Sequence, residues 1–366
     1  MDRHIKHTVI AESGPNNPRN DTASVAELKD GRLMVAWHKY TGGSMGGDDF
    51  GVCRIFSKTS HDGGLTWEEE RMLVDTLPGD LNVQAPALYM LPSGELLLTC
   101  LRAHSESSTS MMLFRSLDDG STFVESSPIW EHSEGQWLQG GASSLVRLSN
   151  GRLLLPFHGG TGHQHKQHNV VRCFHSDDEG YAWKLAKGEV DLPMRGAMEA
   201  SIAELDDGKL VMSLRTQLGS VFLSYSEDRG ETWTLPQTSG LKAPESCTCL
   251  RRIPGTNSLL LLWNDSLYNP RHHHYGERSP LSVAISNDGG NTWQRAGDIE
   301  SSGDFEYTNT GCTFISTGKA IITYMAVSPA FTRTGIDLRA AVYGVPMATT
   351  ERLVSMKHAR RAKEDR

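Results

Sequence analysis

The sequence lacks features that would indicate a membrane, secreted or nucleic-acid-binding protein. No apolar run is long enough to cross a bilayer. Residues 1–7 are polar and contain no apolar stretch of a secretory signal, which predicts a cytoplasmic protein. A formal net charge of −8 and a pI near 6.0 argue against binding to nucleic acid. We therefore expect neither nucleic acid nor membrane among its partners.

Cysteine is also scarce, and its spacing shows no pairing pattern. Most of the 6 cysteines fall inside predicted strands, which indicates buried thiols in a reducing compartment. The spacing of Cys247 and Cys249 is too short for a zinc site, and no second pair accompanies them. No metal and no cofactor is predicted. The cysteines are Cys53, Cys100, Cys173, Cys247, Cys249 and Cys312.

What the sequence has instead is an octapeptide, Ser-x-Asp-x-Gly-x-Thr-Trp, present in five copies with minor variation. Its mean period is about 56 residues, which indicates repeated supersecondary units such as propeller blades. The Asp can accept backbone hydrogen bonds, the Gly can close a tight turn, and the aromatic residue can cover the strip between strands. We therefore interpret these Asp residues as structural. The copies lie at residues 60–67, 116–123, 176–183, 226–233 and 286–293.

A second repeat, in step with the first, consists of six β-hairpin patterns, each with a turn glycine. A third strand leads into each octapeptide and a short fourth strand follows it. This predicts an all-β fold, a six-bladed β-propeller with four-stranded antiparallel blades and five Asp-box turns, over residues 1–350. Residues 7–11 are expected to supply the outer strand of the sixth unit, and 351–366 form a polar, basic tail. The hairpins span 24–38, 86–102, 143–158, 200–215, 248–265 and 311–325.

The repeat also predicts where a site lies, because the innermost strands of a propeller line one central pocket. Alignment on the turn glycines brings charged and polar residues to one rim. Several arginines in one pocket need an anionic ligand, and their planar fork suits a carboxylate. The residues brought together are Arg19, Gln84, Gly141, Glu199, Glu245 and Tyr307 before the glycines, His38, Arg102, His158, Arg215, Asn264 and Met325 after them, Arg278 and His168 on third strands, and Asp48 and Asp49 on a loop.

With these residues in place, the chain resembles the sialidase (neuraminidase) superfamily of Asp-box propeller glycosidases over nearly its whole length. The stretch from Glu199 to Arg215 resembles most closely the family segment that carries a catalytic Glu and an Arg of the triad. The resemblance implies that Arg19 and Arg278 complete this triad and that Asp48 or Asp49 is the acid/base. It also implies that Tyr307 is the nucleophile, with Glu199 as its base.

The resemblance implies a retaining exo-glycoside hydrolase that acts on a sialic acid or a related acidic sugar. A sugar with a carboxylate on its anomeric carbon repels a carboxylate nucleophile, and sialidases use a Tyr instead. The arginines would hold the substrate carboxylate. The expected partner is a small glycan. Departures from the family sequence occur around Arg19, which lies in Pro-Arg-Asn-Asp-Thr, and around Tyr307.

Two other functions are compatible with the sequence. A propeller lyase or an unusual glycosidase could use His158 or His168 with Tyr307 on a uronate. A non-catalytic carbohydrate-binding propeller is the other alternative. Two histidine-rich loops, 158–168 and 272–274, have no counterpart in the family pattern and are expected near the pocket, as surface, substrate-binding, base or metal-binding residues.

Overall fold

A computed structural model describes residues 5–41, 47–131, 135–141, 144–328 and 335–345. In these ranges all regular elements are β-strands, 25 in number, arranged in five sheets. The predicted tail, 351–366, lies outside the described residues. No helix among the described residues is long and apolar enough to span a membrane.

Three sheets have four main strands in chain order, and a fourth has an extra short strand beside its second. All pairs within these sheets are antiparallel. The sheets consist of β6 (Asn82–Met90), β7 (Leu96–Ser105), β8 (Ser108–Ser116) and β9 (Val124–Glu125); β10 (Gln136–Gly140), β11 (Val146–Arg147), β12 (Leu153–Thr161), β13 (Val170–Ser176) and β14 (Lys184–Leu185); β15 (Met198–Glu204), β16 (Leu210–Arg215), β17 (Ser220–Ser226) and β18 (Gln237–Lys242); and β19 (Cys249–Arg252), β20 (Leu259–Asn264), β21 (Leu281–Ser286) and β22 (Gln294–Glu300).

The eight-stranded sheet joins the two ends of the chain. Its strands are β1 (Ile5–Ala11), β2 (Arg19–Glu27), β3 (Leu33–Tyr40), β4 (Cys53–Ser60), β5 (Arg71–Val74), β23 (Glu306–Phe314), β24 (Ala320–Val327) and β25 (Ile336–Tyr343). A single parallel pair, Arg19 with Ile336, connects β2–β5 to β23–β25. Strand β1 pairs antiparallel with β25, which confirms that the N-terminal segment supplies an outer strand there.

The sheets are arranged as a β-propeller, and the hydrophobic core lies between neighbouring sheets. One cluster joins Ala36 and Ile55 of β3 and β4 to Leu98 of β7. The apolar residues that alternate along the strands thus face the next sheet. The last aromatic residue of every octapeptide packs against such a cluster, as predicted: Trp67, Phe123, Trp183, Trp233 and Trp293.

The octapeptide turns are held by their own side chains. In the second copy, Asp118 accepts hydrogen bonds from the Thr122 backbone N–H at 2.8 Å and from the Thr122 hydroxyl at 2.7 Å. The Ser116 hydroxyl donates to the same carboxylate, at 2.8 Å, and accepts the Gly120 N–H. Gly120 has a φ of 79°, which favours glycine. These Thr122 and Ser116 hydrogen bonds lower the pKa of Asp118 from 3.8 to about 2.

Replacing Asp118 with Ala is expected to lower the melting temperature by roughly 2–4 °C without affecting any activity. The side chain closes a turn and does not line the pocket described below. Since its folded pKa is depressed, its contribution is present above pH 4 and is lost as the pH falls towards 2. Thermal unfolding of both proteins at pH 7 and at pH 2.5 measures this; an equal difference at both values would contradict it.

All six cysteines are free and buried, which confirms the prediction of buried thiols. Burial raises the pKa of each thiol, including Cys247 near the pocket. A protonated, buried thiol is a poor nucleophile.

Candidate functional site

A polar pocket lies at the rim where the inner strands begin. Nine residues predicted from the repeat line it, drawn from segments that are far apart in the chain. Arg19, Arg215 and Arg278 therefore share one pocket with Glu199 and Asp49. The nine are Arg19, His38, Asp49, Gln84, His158, Glu199, Arg215, Arg278 and Met325.

The inner strands reach this rim through a recurring bulge. Ala85, Glu199 and Asn309 each lie nine residues before a turn glycine and have positive φ values of 53°, 40° and 52°. The strand register shifts at the same places. An L-residue rarely adopts this conformation, so the surrounding structure must hold it. The bulge turns Glu199 and Asn309 into the pocket.

A side chain of the neighbouring unit holds each bulge by accepting its backbone N–H. His38 Nδ1 accepts from Ala85 at 3.2 Å, and His158 Nδ1 accepts from Glu199 at 3.2 Å. Cys247 Sγ accepts from Asn309 at 3.1 Å. Each of these hydrogen bonds satisfies a backbone N–H at the bulge and so fixes the local backbone conformation.

Tyr307 does not lie in the pocket, which corrects the prediction made from the sequence. Its side chain is 1% exposed and packs in a hydrophobic cluster, with its ring centroid 5.9 Å from that of Tyr324. Tyr307 stands eleven residues before Gly318, whereas the position that faces the pocket is Asn309. The bulge between Thr308 and Gly311 breaks the alternation of a regular strand and causes this difference.

No other tyrosine takes the place of Tyr307. All 9 tyrosines of the chain fall inside the described ranges, and none lines the pocket. Tyr40 comes near because its ring stacks 4.7 Å from the Arg19 guanidinium. Burial raises the pKa of the Tyr40 hydroxyl well above the usual range.

Arg19 is paired with two carboxylates. It donates from Nε and Nη2 to Asp21, and from Nη1 to Asp49 at 2.6 Å. Asp21 is 1% exposed and was not predicted from the sequence. It also accepts from the Thr22 N–H and hydroxyl and from the Asn309 amide. Burial opposes ionisation of Asp21, but the charge of Arg19 and the hydrogen bonds from His38 and Asn309 outweigh it and hold the pKa of Asp21 well below the usual range.

Arg215 is likewise paired with two carboxylates. Its Nη1 donates to Glu199 at 2.9 Å and its Nη2 to Glu245 at 3.0 Å. Burial opposes ionisation of Glu199, but the charge of Arg215 and its hydrogen bond to the carboxylate lower the pKa of Glu199 overall. Glu199 Oε2 accepts the Arg215 bond, while Oε1 has no hydrogen bond among the described residues. Glu199 is therefore an ionised carboxylate with one oxygen available in the pocket.

Arg278 differs from the other two arginines. It is 6% exposed, and its Nε and Nη2 donate to the Glu245 carbonyl at 3.1 and 2.8 Å. Its Nη2 also lies 3.1 Å from His274 Nδ1. No carboxylate of the described residues forms an ion pair with it. Burial, with the charge of Arg215, lowers the pKa of Arg278 to about 10, so it stays protonated at neutral pH.

The comparisons with known proteins agree with this fold. Residues 31–313 match the sequence profile of the BNR repeat-like domain family. The chain belongs to this family. A search of curated proteins by sequence gives no match.

Solved structures with a similar fold include sialidases and a protein of unknown function. A protein of unknown function from Dyadobacter fermentans has a TM-score of 0.70 at 18% identity, covering 93% of this chain and 99% of the other. The Hadza microbial sialidase Hz136 has a TM-score of 0.69 at 20% identity, covering 92% and 68%. Trypanosoma rangeli sialidase, in complex with the inhibitor DANA, has a TM-score of 0.74 at 14% identity, covering 97% and 62%. This chain thus spans about three fifths of the trypanosomal protein, and the likeness is one of fold.

Other predicted site residues of the BNR-repeat protein lie away from the pocket. His168 is on the surface, with Nε2 2.7 Å from Asp191 and Nδ1 2.9 Å from the Met194 carbonyl. Arg102 is buried beside Asp80, at 3.4 Å. Asp48 accepts the Phe50 N–H at 3.1 Å in its loop, and Glu245 lies behind Arg215. These positions correct the prediction that they line the pocket.

His158 is neutral near pH 7, because burial lowers its pKa to about 4. Its Nδ1 accepts the Glu199 N–H, so the proton of the neutral ring is on Nε2. His158 can therefore donate a hydrogen bond into the pocket at Nε2 but cannot accept a proton there.

The pocket also contains residues that sequence reasoning missed, including Asp21, Asn309 and Arg195. Asp21 and Asn309 could have been found by counting nine or ten residues back from each turn glycine. The two histidine-rich loops do reach the rim, since His165, His273 and His274 line the pocket. No group of three or more His, Cys, Asp or Glu within the described ranges could hold a metal ion.

Proposed function

We propose that the protein is a glycoside hydrolase for a sugar that carries a carboxylate, such as a sialic acid or a related sugar acid. The observation that supports this is Arg278, a buried guanidinium that faces the pocket and has no carboxylate partner among the described residues. A buried charge is costly unless it is paired. A substrate carboxylate would supply the missing counter-ion through a charge-assisted hydrogen bond from Nη1.

The neighbouring arginines support the same assignment. Arg19 and Arg215 line the pocket as well, and the Nε of Arg215 is buried without an acceptor among the described residues. Their own carboxylates keep both side chains extended and in place. A planar anion placed against Arg278 could therefore accept further hydrogen bonds from Arg19 and Arg215, whose side chains would lose no further conformational entropy on binding.

We also infer that the propeller has six blades. The eight-stranded sheet divides at the Arg19–Ile336 pair into two groups of four strands, each otherwise antiparallel. Strand β2 contacts β6 and β23, and β15 contacts β10 and β19. Asp49, on the loop after β3, and Glu199, on β15, then reach the pocket from different sides.

Glu199 and Asp49 are the proposed acid/base pair. Glu199 is ionised and has Oε1 available, so it can accept a proton. Asp49 binds Arg19 through Oδ1 and lies with Oδ2 3.5 Å from His165. A substrate carboxylate that engages Arg19 would raise the proton affinity of Asp49, which could then protonate the leaving oxygen.

The two histidines considered as bases for a lyase, His158 and His168, favour hydrolysis over elimination. A lyase needs a base beside the substrate, but His158 carries its proton on the nitrogen that is free to face the pocket. His168, the other candidate, lies on the surface beside Asp191. We therefore retain hydrolysis as the proposed reaction.

Release of fluorophore from 4-methylumbelliferyl α-sialoside tests the proposal, with the α-glycoside of a 2-keto-3-deoxy sugar acid and a neutral galactoside beside it. We expect turnover of at least one acidic glycoside and none of the neutral one. Binding of the acidic sugars without turnover would identify a carbohydrate-binding propeller instead. Neither binding nor release by the folded protein would contradict the assignment of the pocket.

A further inference from the structure

From the residues that face the pocket, we infer that the enzyme hydrolyses its substrate by a single displacement by water, with inversion at the anomeric carbon. This inference rests on the proposed function. A retaining glycosidase needs a nucleophile that forms a covalent bond with the sugar. The pocket offers the carboxylates and arginines of a glycosidase, but no tyrosine hydroxyl.

The place where a tyrosine was expected is occupied by Asn309. Its amide nitrogen donates to Asp21 and to the Thr22 hydroxyl, and its oxygen accepts from Cys247 and Thr308. Both ends of the amide are therefore engaged in structural hydrogen bonds. Asn309 contributes to the floor of the pocket and carries no nucleophilic atom.

The remaining candidate nucleophiles are unsuited to attack. Both Asp21 oxygens accept hydrogen bonds, and the side chain is almost fully buried. Cys247 Sγ accepts the Asn309 N–H, and burial raises the pKa of this thiol, which makes it a poor nucleophile. Glu199 could attack directly, but its negative charge would meet that of the substrate carboxylate. Water meets no such repulsion.

The proposed step is balanced as follows. Glu199 Oε1 removes a proton from water, whose oxygen forms the new bond to the anomeric carbon. The bond from that carbon to the leaving oxygen breaks, and its electron pair stays with the oxygen, which takes a proton from Asp49. Solvent then removes the proton from Glu199 and returns one to Asp49. Glu199 and Asp49 both line the pocket, on β15 and on the loop after β3, and an inverting glycosidase requires room for a water between its two carboxyl groups.

The anomer that forms first decides between the mechanisms. Hydrolysis of 4-methylumbelliferyl α-sialoside, or of whichever acidic glycoside is turned over, is followed by ¹H NMR before mutarotation. We expect the β-anomer of the free sugar to appear first, both for the wild type and for Tyr307→Phe. First formation of the α-anomer would overturn the inference and leave the proposed function intact. Absence of hydrolysis of every acidic glycoside would overturn both.

A second measurement tests the identity of the base. Glu199→Ala should lose roughly 10²–10⁴-fold in turnover, and added azide should restore activity by attacking in place of water. The expected product is a glycosyl azide of inverted configuration. Mass spectrometry of the wild type after incubation with 2,3-difluorosialic acid should show no covalent adduct. A stable adduct on any residue, or an azide product of retained configuration, would overturn the inference.

Discussion

Glu199→Gln is expected to lower kcat on an acidic glycoside by roughly 10²–10⁴-fold, because it removes the proposed base and changes little else. Gln has almost the same shape and can still accept the Arg215 hydrogen bond that Glu199 Oε2 now receives. The pocket position, the bulge and the His158 contact to the backbone should persist. Steady-state kinetics with the acidic glycoside measures the effect. We expect KM to change much less than kcat.

Two matched variants serve as controls. Tyr307→Phe removes a hydroxyl that lies in the core, so we expect turnover within about twofold of the wild type and a stability loss of about 1 kcal/mol. Glu245→Gln removes the other carboxylate that Arg215 contacts but leaves Glu199 in place. Its kcat should fall less than that of Glu199→Gln. A Tyr307→Phe enzyme that is inactive but folded, beside an active Glu199→Gln, would reverse the assignment.

Arg278→Gln should lower kcat/KM on the acidic glycoside by roughly 10²–10³-fold. The lost contact is a buried, charge-assisted pair with the substrate carboxylate, for which about 3–4 kcal/mol is typical. We expect no comparable loss of folding stability, because burial already disfavours this cation and lowers its pKa to about 10. Arg278 has no carboxylate partner in the part of the chain that the structure describes, so removing this buried charge is expected to leave the melting temperature near or above that of the wild type.

The methyl ester of the same glycoside is the control for Arg278→Gln. It has the same ring and leaving group but no negative charge. We expect wild type and variant to differ by less than about threefold on the ester, since neither can form the ion pair. Equal losses on acid and ester would show that Arg278 shapes the pocket and does not bind the carboxylate.

Much of the fold could be predicted from the sequence because it depends on short-range chemistry. The octapeptide turn is closed by hydrogen bonds within a few residues, as between Asp118 and Thr122. The strands are marked by alternation of apolar residues, and the hairpins by their turn glycines. The period of the two repeats then predicts the pairing of strands, down to β1 beside β25.

Part of the site was predictable for the same reason. Glu199 and Arg215 lie at fixed distances from Gly208, on the two arms of one hairpin. Arg19 and Arg278 were predicted from their places in the repeat, and both line the pocket. The sequence could not distinguish polar strand-end residues that face the pocket from those that do not. His168 and Arg102 were therefore predicted to line the pocket, although they lie elsewhere.

By itself, the sequence determined an all-β repeat protein whose inner strands bring arginines and a glutamate to one rim. Only the tertiary structure decided which side chains face the pocket. The bulges in the inner strands are held by groups from the neighbouring unit, such as the His158 ring, which lies 41 residues before Glu199 in the chain and accepts its N–H. Because of the bulge in β23, Asn309 and not Tyr307 faces the pocket. The tertiary structure also decided the ion pairs: among the described residues, Arg19 and Arg215 each contact two carboxylates and Arg278 contacts none. Local hydrogen bonds and alternation are encoded in neighbouring residues, whereas bulges and counter-ions depend on contacts between distant ones.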